Sequence, residues 1–302
     1  MVYLFWGSTY IAVRFGVETV PPLMLVGARQ LLAGLVLYPL ARFHSGEKPT
    51  VQHWLSAALI GGLLLIGGNG SIAWAEAQKT PTNITAVLVG AVPVWMALMD
   101  WLRPGGPRPT GRVLTALAIG LLGVSLLVSP HVPFMDSAGA AVRPICALIL
   151  FLGSLCWAAG SILSRHLKLP HSPLLATSIY MIAGGLLNFP VALVIGETKN
   201  FDVHQVSLRS GLSILYLAVF GSILGFTAYT FLLRKVQAAR VATYAYVNPV
   251  IAVFLGWALG GESVSARMMV AAAIILAAVV IVITAPHAPA TEDSSGQPVM
   301  PE

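Results

Sequence analysis

The sequence predicts an all-α polytopic membrane protein with ten transmembrane helices in two inverted five-helix repeats. The 302 residues are 57% hydrophobic and only 9% charged, whereas a soluble protein carries roughly 25% charged residues. Ten apolar segments each approach the length of about 20 residues that a helix needs to cross a bilayer. Motifs of the first half of the chain recur in the second half.

The ten apolar segments follow one another with short connections, mostly under about 15 residues, so no soluble domain fits between them. The segments are about 1–18, 23–42, 53–75, 82–102, 112–129, 144–166, 172–195, 209–234, 240–260 and 266–285. The first five make up a repeat over residues 1–130, and the last five make up a second repeat over residues 143–285. Residues 286–302 are polar and rich in proline, which predicts a disordered cytoplasmic tail.

Basic residues are distributed unevenly between alternate connections. One set of connections carries ten Lys and Arg residues and the other set carries five, while Arg14 and Arg29 lie within helices. Because basic connections stay in the cytoplasm, the richer set and both termini are predicted to be cytoplasmic. The net charge of +6 then reflects topology, so the expected partner is the lipid bilayer and no nucleic acid.

Short matched motifs relate the two halves of the chain. The stretch WGSTYIAVR (6–14) lies 151 positions before WAAGSILSR (157–165). At the same offset, Gly34, Leu35, Pro39 and Ala41 match Gly185, Leu186, Pro190 and Ala192, and at an offset of 156, Pro93 and Trp101 match Pro249 and Trp257. Because five is an odd number, the second copy enters the membrane from the opposite side, as in many secondary transporters.

Proline interrupts two of the predicted helices at matching places. Pro93 lies in LVGAVPVWMALMDW (88–101), and Pro249 lies in YAYVNPVIAVFLG (244–256). Proline kinks or breaks a helix, and broken backbone at membrane depth is tolerated only inside protein or beside a water-filled cavity. The two prolines therefore predict kinks in helices four and nine beside a central pathway, with simple packing kinks as the alternative.

Three longer motifs carry a resemblance to a known family. WGSTYIAVRFGVETVPPLMLVGAR, GGNGSIAWAEAQ and ATYAYVNPVIAVFLGWALGGE together resemble the EamA branch of the drug/metabolite transporter superfamily, most closely its YedA-type exporters, over about residues 3–284. One departure is that Glu262 in the second repeat has no counterpart in WLRPGGPRP of the first.

The resemblance implies two inverted EamA repeats in the bacterial inner membrane. It also implies a transporter that exports small metabolites or facilitates their passage, amino acids among them. Alternating access through a central cavity is the mechanism expected for inverted repeats of this kind. The substrate itself is a small molecule that the resemblance does not name.

Arg29 is the sharpest candidate for substrate binding. It lies six residues into helix two, roughly 9 Å from the outer end of that helix, and ionisable groups inside a membrane are usually functional. Its guanidinium group is suited to bidentate binding of a substrate carboxylate. The alternative is a structural ion pair with Glu18 or Glu76. Arg14 and Glu18, spaced i and i+4, are predicted to pair with each other.

Helix three offers further candidates. Asn69 and Glu76 are seven positions apart and share a helix face, and Trp74 lies between them as a cavity-lining or interfacial residue. Glu76 is interpreted as a proton or cation site, with an ion pair to Lys79 as the alternative. The glycine-rich GGNG sequence lacks the Lys-Ser/Thr that follows in a phosphate-binding loop, so it predicts close helix packing.

Aromatic and amide side chains of helices one, eight and nine complete the candidates. In helix nine, Tyr244 and Asn248 point the same way, and the Asn248 amide is expected either to satisfy the carbonyls freed by Pro249 or to face substrate. In helix eight, Gly221 and Gly225 are predicted to form a packing face. The candidate cavity residues are Tyr10, Arg29, Asn69, Trp74, Glu76, Pro93, Tyr229, Tyr244, Asn248 and Pro249.

The pattern of reactive residues argues against an enzyme and against a metal or other cofactor. The chain has no His, Cys, Asp and Glu cluster with metal-ligand spacing, and neither a Ser–His pair nor two Asp residues at membrane depth. An alternative function on the same fold is the transport of phosphorylated sugars or nucleotide sugars. That function favours several deep Lys and Arg residues, whereas the first half of the chain offers Arg29 alone.

Overall fold

The computed structural model describes residues 2–80, 85, 88–104, 106, 108–128, 144–199, 201–260 and 266–285. These residues form helices joined by short connections, and no strand occurs among them. The first half contains α1 (Val2–Gly16), α2 (Pro22–Ser45), α3 (Val51–Ala77), α4 (Val92–Leu102) and α5 (Gly111–Val128). The second half contains α6 (Pro144–His166), α7 (Pro173–Val194), α8 (Leu208–Lys235), α9 (Tyr244–Gly260) and α10 (Ala266–Thr284).

The predicted helices agree with the structure closely, except at α4 and α9. All other boundaries fall within three residues of the prediction, and those of α6 coincide with it at both ends. Five helices, α2, α3, α6, α7 and α8, are long and apolar enough to cross a membrane. The helical membrane fold is therefore confirmed, while ten spans in two inverted repeats stay a prediction. The predicted tail 286–302 and the junction 129–143 lie outside the described residues.

Helix α2 has clear sequence signals at both ends. Pro22 occupies its first turn, where the missing amide proton costs no hydrogen bond. Gly46 follows its last residue with φ of 64° and donates its N–H to Arg42 O, a left-handed cap that favours glycine. These two signals fix the length of the helix that carries Arg29.

The contact between α2 and α7 is the most extensive helix contact of the described structure, and it is reciprocal. A Cβ on Gly34 would lie 2.8 Å from Ile182 Cγ1, and one on Gly185 would lie 2.9 Å from Leu31 N. The sequence offset between Gly34 and Gly185 is 151, as is that between Leu31 and Ile182. The same contact is therefore made twice, once in each direction. Small residues permit such close approach of membrane helices.

Two carboxylates join the ends of α2 and α7 in the same reciprocal manner. Glu47, just beyond the end of α2, accepts hydrogen bonds from His171 N (3.0 Å) and Ser172 N (3.2 Å) at the start of α7. Glu197, just beyond the end of α7, accepts one from Leu23 N (2.9 Å) at the start of α2. A carboxylate at a helix N-terminus satisfies unpaired amides and complements the helix dipole. The two helices are therefore antiparallel and clamped at both ends.

Two other helices contain π-helical turns at corresponding places. The central part of α3 is π-helical over Gly62–Gly70, and the central part of α8 is π-helical over Leu217–Phe226. Such segments inside α-helices are frequent at functional sites. Helix α3 packs on α6 with this segment, and α8 packs on α1 with its own. Both π segments therefore face the centre of the bundle.

The matched prolines differ in the structure. Pro249 lies inside α9, as predicted. Pro93 is the second residue of α4, and residues 88 and 89 before it are helical, so the backbone of the predicted helix four is interrupted beside this proline. A turn at Gly90 and Ala91 precedes α4, and proline is well tolerated in the first turn of a helix. The predicted start of helix four at residue 82 lies outside the described residues.

Candidate functional site

A central cavity lies between α1, α2, α3, α6, α8 and α9 and the start of α4. Its empty space, including the part that opens to solvent, amounts to about 700 Å³. Polar groups line one part of it: Thr9, Tyr10, Arg29, Asn69, Ser71, Ser154 and Asn248. Aromatic rings line another part: Trp6, Trp157, Phe226 and Tyr244. Apolar walls with a few convergent polar groups are typical of small-molecule sites.

Arg29 is the charged group of this cavity. It is only 3% exposed, and its Nη2 donates to Asn69 Oδ1 at 2.5 Å. Its Nε has no hydrogen-bond partner among the described residues, and in that part of the chain it forms no ion pair with a carboxylate. The partner of Arg29 is therefore a neutral amide, and no carboxylate of the described residues forms an ion pair with the guanidinium.

The π segment of α3 orients Asn69 for this contact. Asn69 Nδ2 donates to Leu64 O at 3.4 Å, five residues earlier in the same segment. Because the amide nitrogen bonds its own helix, the amide oxygen points to Arg29. Gly221 of α8 lies beside the guanidinium, since a Cβ there would be in van der Waals contact with Arg29 Nη1 at 3.5 Å. Two π segments thus bound the charged end of the cavity.

The π segment of α8 holds Trp6 in place. The indole Nε1 of Trp6 donates to Gly221 O at 2.9 Å. A Cβ on Gly225, one turn further along, would collide with the same indole nitrogen. The glycines of GSILG therefore form the predicted packing face, and they bring the Trp6 ring to the cavity wall.

An aromatic cluster closes one end of the cavity; its members are Trp6, Trp157, Phe226, Tyr229 and Tyr244. Ring centroids of Trp6 lie 4.7 Å from Tyr244, 4.9 Å from Tyr229 and 5.4 Å from Trp157. The Tyr229 hydroxyl bonds Ser161 Oγ at 2.6 Å and accepts from Trp157 Nε1 at 3.2 Å. Edge-to-face aromatic pairs and a satisfied buried hydroxyl make this end dense.

Comparison with known proteins identifies the family of this bundle. A family model, that of the EamA-like transporter family, matches residues 1–129 and 144–284. The chain belongs to the EamA-like transporter family. Its members are membrane transporters, and no catalytic activity is indicated for this chain. The resemblance seen in the sequence motifs is thereby confirmed.

Individual relatives agree with this family assignment. The chain is 38% identical over 264 residues to the inner membrane transporter YedA of Escherichia coli (strain K12), covering 87% of this chain and 82% of that protein. It is 23% identical over 265 residues to a protein of the same strain named "Probable amino-acid metabolite efflux pump", covering 83% and 82%. These relatives and the apolar helices support an integral protein of the inner membrane.

A solved crystal structure shares the fold of the chain. It matches with a TM-score of 0.71 at 16% identity, covering 93% of this chain and 94% of that one. At this identity the likeness concerns the fold alone.

Five of the predicted site residues of this EamA-family protein line the cavity: Tyr10, Arg29, Asn69, Tyr244 and Asn248. With its amide nitrogen turned towards the nearby carbonyls, Asn248 donates to Tyr244 O at 3.0 Å and to Tyr3 O at 3.3 Å. The amide therefore bonds two backbone carbonyls other than that of Ala245, which Pro249 leaves without its helical donor, and Asn248 still borders the cavity. Tyr244 is at once a lining residue and a member of the aromatic cluster.

The other five candidates do not line the cavity. Tyr229 is fully buried behind it in the aromatic cluster. Trp74, Glu76, Pro93 and Pro249 lie outside its wall.

The predicted ion pair of Glu18 with Arg14 is wrong. Glu18 pairs with Arg209 at 3.3 Å, not with Arg14 or Arg29. Glu76 is buried. Asp100 pairs with Arg103, at 2.7 Å.

The main residues missing from the predicted set are Trp6, Trp157 and Phe226. The repeat itself contained the signal for two of them, because Trp6 and Trp157 are matched at the 151-residue offset. In the structure these two rings contact each other edge to face, with centroids 5.4 Å apart. Residues related by an approximate twofold axis meet each other only near that axis. A matched pair of large aromatic residues was therefore a pointer to the centre of the bundle.

Proposed function

We propose that this EamA-family protein transports small metabolites that carry a carboxylate group, with amino acids as the first class to test. The observation that carries the proposal is the buried guanidinium of Arg29, which faces the central cavity and is held by the Asn69 amide. A charged side chain within a membrane costs roughly 3 kcal/mol or more unless something offsets it. A substrate carboxylate supplies that offset in the loaded state.

The chemistry of the cavity favours a carboxylate over a phosphate ester. Guanidinium binds a carboxylate through two parallel hydrogen bonds, and the Nε of Arg29 has no acceptor among the described residues. A phosphorylated sugar carries up to two negative charges, yet Arg29 is the one Lys or Arg residue among the described lining residues. The relative named as an amino-acid metabolite efflux pump supports the amino-acid class and export as the direction.

The arrangement that we infer is ten spans in two inverted repeats. The reciprocal contacts of Gly34 and Gly185, the two carboxylate caps between α2 and α7, and the central contact of Trp6 with Trp157 all support a twofold relation. Inverted repeats of this kind operate by rocking of one half against the other around a fixed site.

The inferred orientation makes this an outward-facing state. With the richer basic connections and both termini in the cytoplasm, α2 begins at the outer face, and Arg29 lies about 10 Å from that end. Tyr229 lies about 9 Å from the cytoplasmic end of α8. The cavity then occupies the outer half of the bundle, and the aromatic cluster closes its cytoplasmic side. Alternating access requires that this cluster open on the cytoplasmic side.

Transport by the purified protein in lipid vesicles tests the function. Uptake is measured for labelled amino acids, other carboxylic acids, amines without a carboxylate, and a sugar phosphate. We expect the carboxylates to be carried, and Arg29→Lys to raise their apparent KM about tenfold or more, because a charge-assisted hydrogen bond contributes about 1.5–3 kcal/mol. Arg14→Lys, on the exposed side of α1, is the matched control and should change little.

Two results would refute the carboxylate proposal. One is a panel in which no carboxylate is carried while the sugar phosphate or the amines are. The other is an Arg29→Lys protein, present at the normal level, whose KM values for carboxylates and amines rise equally. The second result would assign Arg29 a structural role.

Single cysteines test the orientation independently, in a background that lacks Cys146 and Cys156. A cysteine at His204 should react on whole cells with a membrane-impermeant thiol reagent, because the connection between α7 and α8 is predicted to face outwards. A cysteine at Lys168 should react only after the cells are opened. The reverse pattern would overturn the orientation and place the cavity in the cytoplasmic half.

A further inference from the structure

A second cavity lies at the opposite end of the bundle from the start of α2. It is formed where α4 ends, α5 begins, a helical turn (Ala238–Ala242) leads into α9, and α10 ends. Its space, including the part open to solvent, is about 480 Å³, and its polar lining consists of Asp100, Arg108, Thr110, Gln237 and Arg240. Because four helix ends meet here, the cavity lies at the level where a bilayer has its headgroups.

The charges around this cavity leave it positive. Asp100 is buried and neutralised by Arg103, with Nε to Oδ1 at 2.7 Å. Arg108 is exposed and forms no hydrogen bond or ion pair within the described residues. Arg240 adds a second positive charge that no described carboxylate compensates. The net charge of these four side chains is about +2, which favours an anion with more than one acceptor oxygen.

A hydrogen bond holds Arg240 in place, but not every nitrogen of its guanidinium group has an acceptor. Its Nη2 donates to Ala285 O at the end of α10, while its Nε is buried without an acceptor in the described part of the chain. Thr110 caps α5 by accepting from Val113 N, so the first-turn amides of α5 lie beside the same cavity and add positive potential. The same cavity is therefore lined by the guanidinium groups of Arg240 and Arg108 and by the N-terminus of α5.

We propose that this second cavity binds the phosphate group of an anionic phospholipid. Basic pockets between membrane helices on the cytoplasmic side suit such headgroups, and guanidinium groups bind phosphate oxygens in a bidentate manner. The lipid source is favoured by the neighbouring surface, where Trp101 is 41%, Leu102 70% and Leu114 50% exposed. These side chains give an acyl chain an apolar surface next to a charged pocket. The proposal does not depend on the transported substrate.

Lipid binding by the purified protein tests this site. Detergent-solubilised protein is titrated with phosphatidylglycerol or phosphatidylcholine of the same acyl chains, and bound lipid is counted by native mass spectrometry. We expect preferential binding of phosphatidylglycerol, weakened about tenfold in Arg108→Gln, since one charge-assisted contact contributes about 1.5–3 kcal/mol. Lys168→Gln, an exposed cation on another predicted cytoplasmic connection, is the control and should bind like the wild type.

A second variant keeps the test decisive if Arg240 also stabilises α10. Arg240→Lys retains the charge but loses the planar fork, and should weaken phosphatidylglycerol binding with an unchanged unfolding midpoint in phosphatidylcholine. Equal affinity for the two lipids, or equal loss in Arg108→Gln and Lys168→Gln, would overturn the site. Displacement of the bound lipid is then attempted with inorganic phosphate. Saturation of the site by free phosphate, with no preference for the anionic lipid, would overturn the lipid assignment.

Discussion

Arg29 in α2 and Tyr180 in α7 occupy matching positions of the two halves, 151 residues apart, yet their chemistry differs. Both side chains are buried. Arg29 faces the central cavity and is held by Asn69, whereas Tyr180 forms a hydrogen bond with Thr230 Oγ1 at 2.7 Å and does not line the cavity. The helix crossing is shared by the two halves, but the charge belongs to one half only.

The two π segments likewise share a backbone geometry but differ in their side chains. In α3 the segment carries Asn69, which binds the guanidinium of Arg29. In α8 the segment contributes the Phe226 ring to the cavity wall and a backbone carbonyl, Gly221 O, which accepts a hydrogen bond from Trp6. Backbone geometry is thus duplicated, while the side chains that recognise a ligand are specialised. A carboxylate bound at Arg29 is consequently recognised at one end of the cavity, and its remaining part faces aromatic rings.

The largest effect expected from this asymmetry is that of Asn69→Asp. A carboxylate at this position would pair with Arg29 permanently and compete with the carboxylate of the substrate. We expect the apparent KM for carboxylates to rise by at least about tenfold, the equivalent of one charge-assisted hydrogen bond, in vesicle uptake assays. Asn69→Ser, which removes the amide without adding charge, is the matched comparison. Equal KM values for the wild type and Asn69→Asp would show that Arg29 is not the anion site.

The matched prolines should behave unequally. Pro249→Ala supplies an amide proton inside α9 and is expected to straighten it, changing the transport rate severalfold with little loss of stability. Pro93→Ala lies in the first turn of α4 and should change neither. Transport rates of both variants in vesicles decide between these outcomes. Equal effects of the two substitutions would support the prediction of two mirrored kinks.

The packing of α8 against Trp6 is tested by a pair of glycines. Gly225→Ala places a methyl group against the indole nitrogen of Trp6, and such overpacking costs about 1–3 kcal/mol. A Cβ on Gly62, in the π segment of α3, would meet nothing within 4 Å, so Gly62→Ala should leave stability unchanged. Thermal unfolding of the two purified variants gives the comparison. A lower midpoint for Gly62→Ala than for Gly225→Ala would contradict the observed packing.

The smallest effect is expected at the counterpart of Arg29. Tyr180→Phe removes one buried hydrogen bond to Thr230, a loss of about 1 kcal/mol in stability. Since Tyr180 does not line the cavity, the apparent KM for carboxylates should stay at the wild-type value. Urea or thermal unfolding measures the first quantity and vesicle uptake the second. A KM that rises as it does in Arg29→Lys would place Tyr180 in the binding site as well.

Much of the fold could be predicted from hydropathy, because a lipid environment requires long apolar helices, and the length of each apolar run gives the length of its helix. The ends of α6, α7 and α8 were predicted to within one residue for this reason. The start of α4 was not, because the apolar run continues through Gly90 and Ala91 while the backbone turns there. Hydrophobicity cannot distinguish a kink from a new helix start, since both are apolar.

The candidate site was predicted only in part, because some of its features depend on contacts between residues that are far apart in the chain. Arg29, Asn69, Tyr10, Tyr244 and Asn248 are polar or aromatic groups in apolar helices, so composition alone marks them. Composition does not identify the hydrogen-bond and ion-pair partners of these residues. The alternative for Arg29 was an ion pair with Glu18 or Glu76, but Glu18 binds Arg209, 191 residues away, and Arg29 binds an amide 40 residues away.

The sequence by itself determined that this chain forms apolar helices, that its two halves are related, and that one guanidinium lies deep within the first half. Each of these features can be recognised from short stretches of the sequence: the length of the apolar runs, the matched motifs, and a single charged residue among apolar neighbours. Only the tertiary structure decided that Asn69 faces Arg29, that Trp6 and Trp157 meet at the centre, and that Tyr229 lies behind the cavity rather than in its wall. Those facts depend on how helices rotate and approach one another, which π turns and glycine contacts set through atoms distant in the chain.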